Sequence, residues 1–186
     1  MLRMLLIVAS LVVLGVGVAA GWVAARETQE AETTTTTATE TEIPDTGSGL
    51  PAAVEETRAA LLDAAESGSY EALRQHIPSD GFTYTFGGPI EGGPIPYWQQ
   101  LERETDDRPL EILSEILRMP YVLSRGIYVW PWAYTVESAG DLSEHERELL
   151  APLGPPSRLV VEGTGYVGWR AGITPDGSWV FFVAGD

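Results

Sequence analysis

Between Met4 and Ala25 lie 22 consecutive uncharged residues, mostly Leu, Val, Ala and Gly. In a helix rising ~1.5 Å per residue, such a run is about 33 Å long, enough to cross a hydrocarbon core of roughly 30 Å. Arg3 precedes it; Arg26, Glu27, Glu30 and Glu32 follow. Basic residues gather on the cytoplasmic side of a span, so the N-terminus is expected inside and everything after Ala25 outside. The alternative is a cleaved signal peptide. Val18-Ala19-Ala20 and Val23-Ala24-Ala25 both offer small or tolerated residues where such a cut is read. The run is long for a signal's apolar region, which favours an anchor. Residues 1–25 are therefore a transmembrane anchor or signal peptide. The rest is exported: held at the cell membrane by one span, or secreted after cleavage.

Residues 26–50 cannot build a core. They hold five threonines in a row from Thr33 to Thr37, six acidic residues and few apolar ones. This stretch reads as a disordered tether, whose ends as a flexible coil lie about 25–30 Å apart. That leaves residues 51–186 as one extracytoplasmic domain.

Composition then removes whole classes of function. The chain carries 27 acidic and 11 basic residues, a net charge of −16. Nucleic-acid binding, which depends on Lys and Arg neutralising phosphates, is not expected. There is no Cys, no Lys and no Asn. Disulfides, thiolate metal sites, Cys nucleophiles, Schiff-base lysines and the phosphate-loop Lys are excluded.

Within the domain, Val54, Arg58, Leu61 and Ala65 share one face of a helix expected from Ala52 to Glu66. Gly68 ends it, and Ser69 caps a second helix, Tyr70 to Ile77. Phe82 to Phe86 alternates aromatic and Thr, a strand pattern, and Gly87 to Pro96 is a loop. Helices are expected over Tyr97–Glu104 and Leu110–Arg118. Ile127 to Val136 reads as a long strand with Tyr128, Trp130, Trp132 and Tyr134 on one face. Pro131 places that strand at an edge or a bulge. Ser143-x-x-Glu146 is a capping box. Thr174 to Ser178 forms a turn, with Ile173 expected opposite Trp179, Ala171 opposite Phe181 and Arg170 opposite Phe182. Helices first, then strands closing in an antiparallel hairpin, make an α+β fold.

Few motifs carry chemistry. Gly163-Thr164-Gly165-Tyr166-Val167-Gly168 matches the dinucleotide fingerprint, but the following residues read as a strand where the fingerprint needs a helix. His76 and His145 lack metal-ligand spacing. The acids Glu102, Glu104, Asp106 and Asp107 read as a solvated helix end, since no calcium-loop spacing is present. No metal and no cofactor is expected.

The aromatic face is the strongest candidate. A row of aromatics is first of all core. Read functionally, Tyr84, Tyr128, Trp130, Trp132 and Tyr134, with Arg125, Arg170 and Phe182 nearby, line a site for a small apolar or anionic molecule or an envelope partner.

The stretch Ala59-Ala60-Leu61-Leu62-Asp63-Ala64-Ala65-Glu66-Ser67-Gly68-Ser69-Tyr70-Glu71-Ala72-Leu73-Arg74, followed by Phe82-Thr83-Tyr84, resembles the first helices and strand of NTF2-like (SnoaL/ketosteroid-isomerase-type) domains. Gly177 to Asp186 is similar to the ending of uncharacterised exported bacterial proteins. The NTF2-like resemblance implies a cone-shaped α+β fold whose curved antiparallel sheet wraps a pocket. An SH3-like barrel with helical additions is the alternative. No residue here matches the catalytic Asp, His or Tyr that enzymes of that class place in the cone, so none is carried over. The expected function is non-catalytic binding, with a small isomerase or dehydratase, or a purely structural envelope protein, as alternatives.

Overall fold

The computed structural model describes residues 49–88 and 90–185. The expected span Met4–Ala25 and nearly all of the tether lie outside the described residues. Among the described residues, no helix is long and apolar enough to cross a membrane. The domain is α+β: helices accompany a four-stranded antiparallel sheet and a separate two-stranded ribbon.

Helix α1, Ala52–Glu66, has the expected bounds. It buries Val54, Leu61, Ala64 and Ala65, the stripe that a 3.6-residue period demands. Ser69 then caps α2, Tyr70–Arg74, accepting a hydrogen bond from the Ala72 N–H. Helices α3, Pro94–Glu104, and α4, Pro109–Arg118, each begin on a proline, whose fixed φ suits a first helical turn. Leu110, Leu113, Ile116 and Leu117 form the buried stripe of α4.

Arg58 locks α1 to α4. Its guanidinium pairs with Glu55 at 2.7 Å and donates to the Leu117 carbonyl at 2.9 Å. A cation at a helix C-terminus answers the unpaired carbonyls there. The hydrogen bonds that Arg58 donates hold the Glu55 carboxyl below its usual range.

Strands β1 (Val122–Ser124), β2 (Ile127–Trp130), β5 (Arg170–Ile173) and β6 (Trp179–Val183) lie in the order β1-β2-β5-β6. The ribbon pairs β3, Val160–Val161, with β4, Gly165–Tyr166. α1 and α4 both pack against β5. Opposed residues of antiparallel strands share a face. The rows Trp130–Ala171–Phe182 and Tyr128–Ile173–Trp179 therefore form the helix-covered side. A second cluster gathers Met119, Trp132, Leu142, Leu150, Leu159, Val160 and Tyr166 around α5, Glu144–Leu150, and the ribbon.

α2 ends at Arg74 and not Ile77, α3 begins at Pro94 inside the expected loop Gly87–Pro96, and three expectations about strands need correcting. The strand from Ile127 to Val136 stops at Trp130. Pro131 has no N–H for the ladder, and Trp132–Thr135 coils into a 3₁₀ turn. Trp132 and Tyr134 thus leave the face of Tyr128 and Trp130. Phe82–Phe86 is a single parallel bridge, not a strand. The Thr83 N–H donates to the Val180 carbonyl, and the Phe182 N–H to the Thr83 carbonyl, both at 3.0 Å. The closing hairpin keeps Ile173 opposite Trp179, but the register then shifts. Gly172 faces Phe181, Ala171 faces Phe182 and Arg170 faces Val183. Val180 is the extra residue of a bulge, and a one-residue slip exchanges faces.

The hairpin turn is docked on α1. Thr57 donates its hydroxyl proton to the Gly177 carbonyl at 2.7 Å. Gly177 has φ +87°, and a Cβ there would meet the Ala53 carbonyl oxygen at 2.8 Å. Gly177→Ala is expected to lower stability by about 1–3 kcal/mol, read by chemical denaturation.

The Ser143 capping box opens α5: Ser143 accepts from the Glu146 N–H, and Glu146 accepts from the Ser143 N–H at 2.7 Å. Burial raises the Glu146 carboxyl, but the Ser143 hydrogen bonds and the nearby Trp132 indole outweigh it and bring it below its ordinary 4.5. A lowered folded-state pKa gives stability that is complete above 4.5 and lost as pH falls through the folded value. Glu146→Gln is therefore expected to destabilise more at pH 7 than at about pH 3, measured by denaturation midpoints at both.

Candidate functional site

The side of the sheet opposite α1 and α4 holds the clearest functional grouping. Arg170 sits on this side, opposite Val183. Its guanidinium carbon lies 5.0 Å from the centroid of the Phe86 ring and 5.8 Å from that of Tyr134. One of its nitrogens donates to the Tyr166 carbonyl at 3.4 Å. Three separate segments converge here. Phe86 follows the Thr83 bridge, Tyr134 comes from the 3₁₀ turn after Pro131, and Arg170 opens β5. Phe86 is 53 % exposed, so it meets solvent as well as the cation. A guanidinium carbon set over aromatic rings is a cation–π arrangement, and it places at this surface the charge that pairs with carboxylates and phosphates.

Of the eight sequence candidates, the structure brings Tyr134 and Arg170 together here. Tyr84 is buried; its hydroxyl donates to the Ile90 carbonyl and accepts from the Ile90 N–H at 2.8 Å. It fixes a loop. Tyr128 is half-buried on the helix side, edge-on to Tyr121 at 5.6 Å. Trp130, 1 % exposed, also packs on Tyr121. Trp132 belongs to the second cluster. Arg125 stands at the exposed tip of the β1–β2 turn with φ +51°. Phe182, expected beside Arg170, is turned into the core by the bulge and packs on Trp98 and Trp169.

Sequence reasoning missed Phe86 and Phe181. Phe86 was legible only as the end of an alternating run. Phe181 faces Gly172, where a Cβ would come within 2.2 Å of its ring. The space that Gly172 leaves is taken by the chain's own aromatic. Tyr166 does the same over Gly168, with its hydroxyl bonded to the Trp169 carbonyl at 2.9 Å. Burial pushes the Tyr166 hydroxyl pKa well up, keeping it a donor at any ordinary pH.

The remaining motifs settle elsewhere. The glycine fingerprint lies across the β3–β4 turn and runs on into β5, so no helix N-terminus follows it. His145 is exposed on α5, and His76 lies against the Gln75 side chain. No group of three or more His, Cys, Asp or Glu among the described residues could hold a metal ion. The acid Glu102 lies beside Tyr70. Burial first, then Glu102, drives the Tyr70 hydroxyl pKa strongly upward. Comparison with protein-family models, curated proteins and solved structures finds no match to the chain.

Exposure separates surface from core in a measurable way. Phe86→Ala is expected to cost less than about 1 kcal/mol of stability, the scale of an exposed cation–π contact. Trp130→Ala is expected to cost about 3–5 kcal/mol. Equilibrium denaturation of both variants checks this.

Proposed function

We propose that the chain is a membrane-tethered extracytoplasmic module that binds an anionic small molecule, or an envelope partner presenting such a group, through Phe86, Tyr134 and Arg170. The observation that carries this reading is the Arg170 guanidinium placed against Tyr134 and the half-exposed Phe86 ring. Aromatic faces around a cation supply short-range area and an oriented charge, the combination on which binding surfaces depend. An NTF2-like fold remains part of the proposal. Helices on one side of an antiparallel sheet suit it, and the linear strand order fits an open sheet better than the SH3-like barrel.

The isomerase or dehydratase reading needs a carboxyl group raised in pKa beside a tyrosine hydroxyl. Tyr70 beside Glu102 is the arrangement that comes nearest. The carboxyl groups clearly moved by their surroundings, Glu55, Glu146 and Asp176, are all moved down. That direction favours binding over proton transfer.

A photoreactive benzoyl-phenylalanine placed at Phe86 in the full-length chain, in its native membrane, tests the surface. The same group at exposed Glu148 on α5 is the control. A discrete adduct at 86, absent at 148 and lost with Arg170→Gln, is expected. No adduct at 86, or equal labelling at both positions, would sink the reading.

A further inference from the structure

On the helix side of the sheet, one group of aromatics carries an unresolved polar demand. Trp98 in α3 is 0 % exposed and Trp179 in β6 is 2 % exposed. Their ring centroids are 6.1 Å apart. Neither indole Nε1 hydrogen-bonds to any described residue, and the Tyr70 ring stacks on Trp98 at 6.5 Å with its hydroxyl beside Glu102. Two buried donors therefore sit on neighbouring rings, Trp98 and Trp179, with Tyr70 stacked on the first. A buried donor left unpaired costs about 1–3 kcal/mol, and native cores rarely leave several in one place.

Phe82 covers this group. Its ring lies 4.6 Å from that of Trp179 and 6.1 Å from that of Trp98. The segment carrying it is held lightly. Thr83 makes two backbone hydrogen bonds to β6, and the Tyr84 hydroxyl makes two to Ile90. Gly81, with φ +76°, joins the segment to the chain before it, a backbone state open to glycine at little cost.

We infer that the strap Phe82–Phe86 closes over a second binding site, distinct from the Arg170 surface, for a flat apolar molecule bearing a carbonyl-type oxygen. The rings supply the apolar walls. The Trp98 and Trp179 N–H groups donate to the oxygen. The ligand enters where Phe82 lifts, so its apparent affinity is reduced by the fraction of time the strap is shut. A molecule of equal size without an acceptor leaves the donors unpaired and binds less well, as sites built on buried donors discriminate.

Coumarin and naphthalene separate these features: both are flat bicycles, and only coumarin carries a carbonyl. The full-length chain in lipid nanodiscs, with ¹⁵N-labelled indoles, is titrated with each, and empty nanodiscs correct for partitioning. Trp98→Phe and Trp179→Phe, or contacts to the Phe82 ring, assign the indole signals. Coumarin is expected to move the Trp98 and Trp179 N–H signals downfield and to bind about tenfold or more tighter than naphthalene. Tyr84→Phe, which frees the strap from Ile90 but keeps the ring, is expected to tighten coumarin binding severalfold and to speed exchange of the Phe182 amide. The N–H groups could instead point at neighbouring ring faces, Phe82 being edge-on to Trp98 at 87°. Both indole signals would then lie upfield and coumarin would leave them in place, which overturns the site. Equal binding of the two probes also overturns it, and a Tyr84→Phe variant with unchanged affinity and exchange removes the strap from it.

Discussion

One extra residue in β6 decides what each side of this sheet can do. With Val180 bulged out, Trp179 and Phe182 both turn to the helix side and join Trp98 in the core. Phe181 is left to cover Gly172 on the other side. Without the bulge, the alternation of a regular strand would send Phe182 to the Arg170 side and Phe181 inward. The core would then lose the ring that Trp98 and Trp169 both pack against, and Arg170 would face a different neighbour. The same bulge lies beside the Thr83 bridge, whose partners are Val180 and Phe182. It therefore also sets where Phe82 covers the core and where Phe86 reaches Arg170.

Local signals in the sequence reached as far as local physics does. The bounds of α1, the Ser69 cap, the start of α4 near Pro109, and the Ser143–Glu146 box depend on neighbours within four residues, and all are found. The Thr174–Ser178 turn and its first pair, Ile173 with Trp179, belong to the same class. Apart from the ends of α2 and α3, what failed was long in range. Alternating Tyr and Trp from Tyr128 to Tyr134 is a strand pattern that the proline overrides, and no window of residues says which cluster Trp132 will join. A bulge changes register by one residue and leaves the hydrophobic pattern intact, because Phe181 and Phe182 are chemically alike. Swapping two identical side chains between faces is invisible to any reading of polarity.

The candidate site suffers most from that blindness. Tyr134 and Arg170 are 36 positions apart along the chain, and their meeting depends on the turn after Pro131 folding back over β5. Phe86 arrives from a third segment. The aromatic row did point to residues that matter, but to core on one side and surface on the other, with Arg125 in the exposed β1–β2 turn. The two proposed sites accordingly lie on opposite faces of one sheet and share only the strap.

Charge bears on how such a surface would work. The 21 acids and nine arginines of residues 51–186 leave −12 on the domain. In the proposed tethered arrangement, a linker of about 25–30 Å would keep this charge near the membrane, and screening would confine its field to about 8 Å at physiological salt. An anion approaching Arg170 gains no long-range steering from such a domain; the net field opposes it. Affinity would then have to come from contact: ring faces, a guanidinium oriented by Phe86 and Tyr134, and water excluded between them. Such binding is slow to form compared with steered association and depends on the dissociation rate. A tether compensates for the slow step, because it fixes the local concentration of the module at the surface where its partner lies.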